Sequence, residues 1–299
     1  MVPAFFILGN ATAALARGCR LRLPPATMQI LSPLRQIAFG FAATLCGALL
    51  AAGLLQPACA DPAGIAARQR NDKKIFTDSQ IIDGFMKTAF GAEYHLAGRV
   101  DRIRKYHMPV RVFIDGSSRI DRRTQIGKVV SDIAKRVQHL DIAITTKRDD
   151  ANTIVTLVRD RDLQKTITSF YGAEKAKEIK ESLDPQCLSG FRKNDEYEIQ
   201  RSDVILTLDS SDFVFLDCAY EELLQSLGPI NDTDSVPWTM FNDDVSMGFF
   251  DIYDQYILNI LYDPRIRAGM TVDEARAVLP EILPDVRVWV AKTNHLPPQ

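Results

Sequence analysis

The chain has 299 residues, 46% hydrophobic and 25% charged, an ordinary globular composition with enough length for one large domain or two small ones. Its 36 Lys and Arg stand against 38 Asp and Glu, and four of the basic residues (Arg17, Arg20, Arg22, Arg35) lie in residues 1–60, which hold no acid. The remainder therefore carries 32 basic against 38 acidic residues, a net of −6, which argues against nucleic acid or an anionic membrane surface as the main partner.

In residues 1–60, a cationic flank (MQILSPLRQ) precedes the Ala- and Gly-rich apolar run Ile37–Leu55, and Ala58-Cys59-Ala60 follows. This is the pattern of a signal peptide cleaved near Ala60, with an upstream extension before a truer start at Met28. The expected destination is periplasmic or secreted, with no stable membrane insertion after cleavage. The alternative is an inner-membrane anchor through residues 37–55, a run just long enough to span a bilayer. Cleavage leaves two of the five cysteines, Cys187 and Cys218, and an exported chain with one pair invites a disulfide between them.

Residues 61–76 are polar and without periodicity and read as a flexible leader; the domain proper is expected over 77–299. Thr77-Asp78-Ser79 offers N-cap chemistry for a helix through IIDGFMKTAF. Met108–Gly116 alternates apolar and polar residues up to Asp-Gly, which predicts a strand and turn. Ile126, Val129, Val130, Ile133 and Val137 recur at helical spacing on a helix with a basic outer face. DIAITT and NTIVTLV are short β-branched strands, residues 160–183 are helical with a break at Tyr171-Gly172, and SGFRKND after Cys187 reads as a loop. EYEIQRSDVILTLD is a strand or bent pair. A helix then starts between Phe213 and Ala219 and stops at Gly228-Pro229. An Asp- and Asn-rich loop to Asp244 precedes the helix FFDIYDQYILNILYD, and Thr271 with Glu274 forms a capping box opening the last helix. This order predicts a single α/β (α+β) domain, one mixed sheet packed by helices.

The stretch YEELLQSLGPIND carries the chemistry. Glu221 and Gln225, four apart, share one helix face, and Gly228 lets the chain turn back so that Asn231 or Asp232 approaches it. The spacing resembles the His-Glu-x-x-His, Gly turn and third ligand of the metzincin branch of zinc metalloproteases, with Glu222 at the catalytic carboxylate. The resemblance continues in Met240 (SVPWTMF) at the place of a methionine turn, and in Asp254 ahead of Leu261-Tyr262. The segment is also similar to a bacterial exported family known only as a domain of unknown function. The resemblance implies a zincin-like fold.

All three histidine positions are replaced, by Glu221, Gln225 and Asn231. One carboxylate and two amides suit zinc poorly; adding Asp232 or Glu222 makes an oxygen-only set better matched to Ca²⁺ or Mg²⁺. Without a Lewis acid, Glu222 has no metal-bound water to deprotonate. No zinc or other resident cofactor is therefore expected, a non-zinc divalent cation being the alternative. His95, His107, His139 and His295 all lie outside the motif, and the chain has no Gly-x-Ser-x-Gly elbow or Cys-x-x-Cys pair. The expected function is a binding or structural module of the cell envelope with a protein or envelope ligand, leaning away from an enzyme. The alternative is an atypical hydrolase, metal-dependent or not, using Glu222 as general base.

Overall fold

The computed structural model describes residues 6–9, 62–91, 101–116, 122–183 and 186–297; the expected apolar run 37–55, the cleavage site near Ala60 and His95 lie outside them. Six strands are present among the described residues: β1 (Phe6–Gly9), β2 (Val110–Asp115), β3 (Ile142–Ile144), β4 (Thr153–Val158), β5 (Cys187–Lys193) and β6 (Ile199–Thr207). The helices are α1 (Pro62–Asn71), α2 (Asp78–Ala89), α3 (Arg122–Arg136), α4 (Asp160–Tyr171), α5 (Ala173–Leu183), α6 (Asp212–Gln225), α7 (Ile252–Tyr262) and α8 (Val272–Thr293).

The strands form one mixed sheet in the order β1-β5-β6-β4-β2-β3. β2 pairs in parallel with β3 and β4, and β4 with β6, whereas β5 is antiparallel to both β6 and β1. Alternation decides which side chains go where, because successive residues of a strand point to opposite faces. Val110, Val112 and Ile114 of β2 turn into the main core with Ile126, Val129, Val130 and Ile133 of α3, and Val204 and Leu206 of β6 join them. Ile205, one residue out of phase, packs on the other face with Leu188 and with Leu163, Ile167, Ala176 and Ile179 of α4 and α5. Helices thus cover both faces, as a largely parallel sheet requires.

One expectation meets a different structure, and two further segments hold elements that the sequence did not assign. SGFRKND lies mostly within β5, where Leu188 and Phe191 are buried and the ladder to β6 runs from Cys187 to Lys193. The leader read as flexible contains α1, whose Ala63, Ala66 and Ala67 favour a helix without needing an apolar stripe. The upstream extension, to which no structure was assigned, contributes the short strand β1 on the outer side of β5.

The capping reading holds at both ends of the domain. The Thr77 side chain accepts from Gln80 N and the Thr271 side chain from Glu274 N, and both helices have complete capping boxes. Two neighbouring cations tie the C-terminal ends of α2 and α7. Buried Arg104 donates through Nη2 to Ala89 O (3.2 Å) and Gly91 O (2.8 Å), at the end of α2. Lys105 Nζ donates to Leu261 O (2.6 Å) and Ile266 O (2.9 Å), at the end of α7. Burial lowers Arg104 to about 9 and Lys105 to about 8. Among the described residues, no helix is long and apolar enough to cross a membrane.

Candidate functional site

Ser211 opens α6 by accepting from Val214 N, and Asp212 in its first turn pairs with Arg122 Nη1 at 2.5 Å. The other end is buried without a break from Glu221 to Ile230. A disulfide between Cys187 and Cys218, with Cα atoms 5.9 Å apart, fixes the middle of α6 to β5.

Past α6 the chain must turn sharply, and Gly228 does so at φ +138°, where an added Cβ would sit 2.3 Å from Arg104 O and 2.9 Å from Leu261 Cδ2. The turn is pinned by Tyr262, whose hydroxyl donates to Leu227 O (2.8 Å), and by Ser202, which donates to Ser226 O (2.9 Å). The returning backbone then docks on the end of α2, with Ile230 N and Asn231 N both donating to Thr88 O (3.0 and 3.1 Å).

This return brings Asp232 to the helix: Gln225 Nε2 donates to Asp232 Oδ1 at 2.6 Å. Asn231 faces elsewhere, donating through Nδ2 to Lys87 O (2.8 Å) and Asp232 O (3.2 Å). The third-ligand position thus belongs to the α2 contact, and its neighbour Asp232 meets Gln225 instead. Glu221 (2% exposed) and Glu222 (0%) are both buried.

The methionine loop is held from below by one carboxylate. Asp254 of α7 accepts from Thr239 Oγ1 at 2.5 Å and from Met240 N at 2.7 Å, and Met240 itself is buried. Asp251, the N-cap of α7, accepts from Asp254 N, so the loop, the cap and the helix form one hydrogen-bonded unit. Trp238 packs edge-on against Phe76 and lies beside Tyr253, with Lys73 Nζ 3.7 Å above its ring.

The electrostatics are one-sided. The Glu221 carboxyl is raised well above its usual range, first by burial and then by Asp232, Glu222, Asp217 and Asp243, all acids. Asp217 lies one turn before Glu221 on the same face; it accepts from Met247 N (2.6 Å) and Gly248 N (2.9 Å), and burial raises it as well. Asp217 is the residue that the motif spacing passes over, although its i−4 relation to Glu221 is visible in the sequence. Such a cluster favours the protonated form of the Glu221 carboxyl, burial first and the neighbouring acids after it, and so opposes its use as a proton-accepting base. Its donor atoms are carboxylate and amide oxygens, the wrong chemistry for zinc. Among the described residues, no group of three or more His, Cys, Asp or Glu is arranged to hold a metal ion. His107 and His139 line a separate cavity with Lys105 and Glu198.

A family described as protein of unknown function (DUF2927) matches residues 78–281, and the chain belongs to it. No curated protein matches the chain, and no solved structure does.

Proposed function

We propose that this member of the DUF2927 family is an exported, zincin-like protein of the cell envelope, periplasmic or secreted, that acts as a binding or structural module and not as a conventional zinc protease. The observation that carries the proposal is the 2.6 Å hydrogen bond from Gln225 to Asp232, beside a Glu221 carboxyl surrounded by acids. Where a zinc protease converges imidazoles, this chain has an amide bonded to a carboxylate, Gln225 to Asp232, next to two buried glutamates. Three further features support the zincin-like reading: the Gly228 turn after the helix, the buried Met240 held by Asp254, and Tyr262 on the turn. The Cys187–Cys218 disulfide supports an oxidising compartment.

On this reading the carboxyl and amide cluster lies buried in the fold and needs no transition metal. The test is elemental analysis of the purified protein, followed by thermal melting with added Zn²⁺. Substoichiometric zinc and a melting temperature indifferent to it are expected. One zinc per chain, lost in Glu221→Ala, overturns the proposal. The competing hydrolase reading rests on Glu222, which is fully buried in the same helix turn. A peptidase or other hydrolase activity that disappears in Glu222→Gln while the fold is kept would establish it instead.

A further inference from the structure

Away from α6, two cavities meet at the end of α3, around His139 and Pro264, which line both. The first, about 590 Å³, is walled on one side by a single stripe of α8: Asp285, Val288, Trp289 and Lys292, spaced to share a helix face. Val288 is 69% exposed, a large apolar side chain left in water at the rim. The Trp289 indole is fixed, because its Nε1 donates to Arg136 O at 2.8 Å. Asn259 of α7 donates to that same carbonyl (3.0 Å) and accepts from Gln138 N (2.8 Å), so the turn after α3 is pinned. This turn holds His139 at φ 64°, a left-handed conformation in which glycine is usual at the end of a helix. The second cavity, about 580 Å³, continues past His139 to His107, Glu198 and Arg267.

From this arrangement we infer that the paired cavities bind an uncharged oligosaccharide, one sugar ring resting on Trp289 and Val288 and the chain continuing past His139. Charge decides the ligand class. Histidines aside, the described lining of the first cavity sets Arg265 and Lys292 against Asp263 and Asp285, and that of the second Lys105 and Arg267 against Glu196 and Glu198. Neither cavity has a surplus of either sign to draw an ion. Much of that charge is also engaged internally: Arg265 donates to Asp263 (2.8 and 2.7 Å) and to Asp285 (2.7 Å), and Lys105 to the backbone at the end of α7. What remains is a set of donors and acceptors, since the side chains of Gln138, His139 and Lys292 make no hydrogen bond to another described residue. A pyranose has an apolar C–H face and a rim of hydroxyls that both donate and accept, which matches an indole flanked by such groups. Both volumes fall within the roughly 300–1,000 Å³ of small-molecule sites. The strained turn has a use on this account: His139 is less stable there than a glycine, and it places an imidazole where the two cavities join.

The inference supplies a ligand for the binding-module reading but uses no residue of the α6 site, so the zinc measurement and a sugar titration fail separately. The full chain is titrated by calorimetry, with Trp emission followed alongside, against chitotetraose, cellotetraose and maltotetraose. At least one is expected to bind with a dissociation constant of about 1 mM or tighter, unchanged within about twofold as salt is raised from about 0.05 to about 0.5 M. Trp289→Ala and Val288→Asp are each expected to weaken it about tenfold or more. His139→Gly should weaken it as much while melting at or above the parent's temperature, which a merely structural residue would not do. Glu221→Gln leaves the affinity in place. If Trp289→Ala does not fold, Val288→Asp, at an exposed position, decides. No binding of any of the three sugars, an affinity that falls about tenfold across that salt range, or binding lost in Glu221→Gln and kept in Val288→Asp and His139→Gly overturns the inference.

Discussion

Removing the Cys187–Cys218 bridge has the most calculable effect. The bridge closes a loop spanning 31 residues, between the strand next to the sheet edge and the middle of the site helix. In the chain-entropy account, the freed loop gains about 12 cal/mol/K in the unfolded state, or about 3.7 kcal/mol at 25 °C. For a domain of this size, each kcal/mol moves the midpoint by about 2–4 °C, so the double variant Cys187→Ala/Cys218→Ala should melt about 7–15 °C below the parent. Differential scanning fluorimetry reads this directly, and the parent in reductant should fall to the same value while the variant ignores reductant. Non-reducing peptide mapping should show the two cysteines joined. A double variant melting within about 2 °C of an oxidised parent would refute the reasoning, since the bridge would then be open or the unfolded loop already restrained.

Three other outcomes are expected. Gly228→Ala forces a side chain into a backbone at φ +138° and against Arg104 O, and should cost about 3 kcal/mol or more, measured by urea unfolding. Asp254→Asn turns an amide donor toward Thr239 Oγ1 or Met240 N in a buried site, a loss of about 1–3 kcal/mol accompanied by faster hydrogen exchange at Met240. Glu221→Gln changes the pH profile rather than the level at acid pH. The native state holds the Glu221 proton longer than the unfolded chain does, so the parent's stability falls as pH climbs above about 4.5. The variant lacks that fall, so its melting temperature should match the parent's near pH 4 and exceed it at pH 8. Parallel curves would count against a buried, proton-holding Glu221.

Much of this was legible because local signals agreed with their surroundings. The two Thr caps, the 3.6-residue stripe of α3 and the β-branched runs of β3 and β4 each predict the element that forms. So does the helix of the Tyr220 stretch with its Gly228 stop. β5 was hidden because CLSGFRK has a Ser, a Gly and two cations and no clean alternation; it is a strand because β6 lies beside it and offers a ladder. The last helix runs on through Pro280 and Pro284 to Thr293, since Leu279, Ile282, Leu283, Val286 and Val290 keep one buried face across both prolines. In the site, spacing correctly brings Asp232 toward Gln225. It gives no hint that Asn231 turns to Lys87 O, because that carbonyl is 144 residues away in sequence.

The adjacent pair Arg104 and Lys105 has a mechanical consequence. One dipeptide grips the ends of α2 and α7, and its own carbonyl abuts the Gly228 turn. Two helix ends and the turn after α6 are therefore coupled through one dipeptide, so that a displacement of any of the three loads the other two. The segment from Asp232 to Phe249 is held instead from α6 and α7, by the side chains of Asp217 and Asp254.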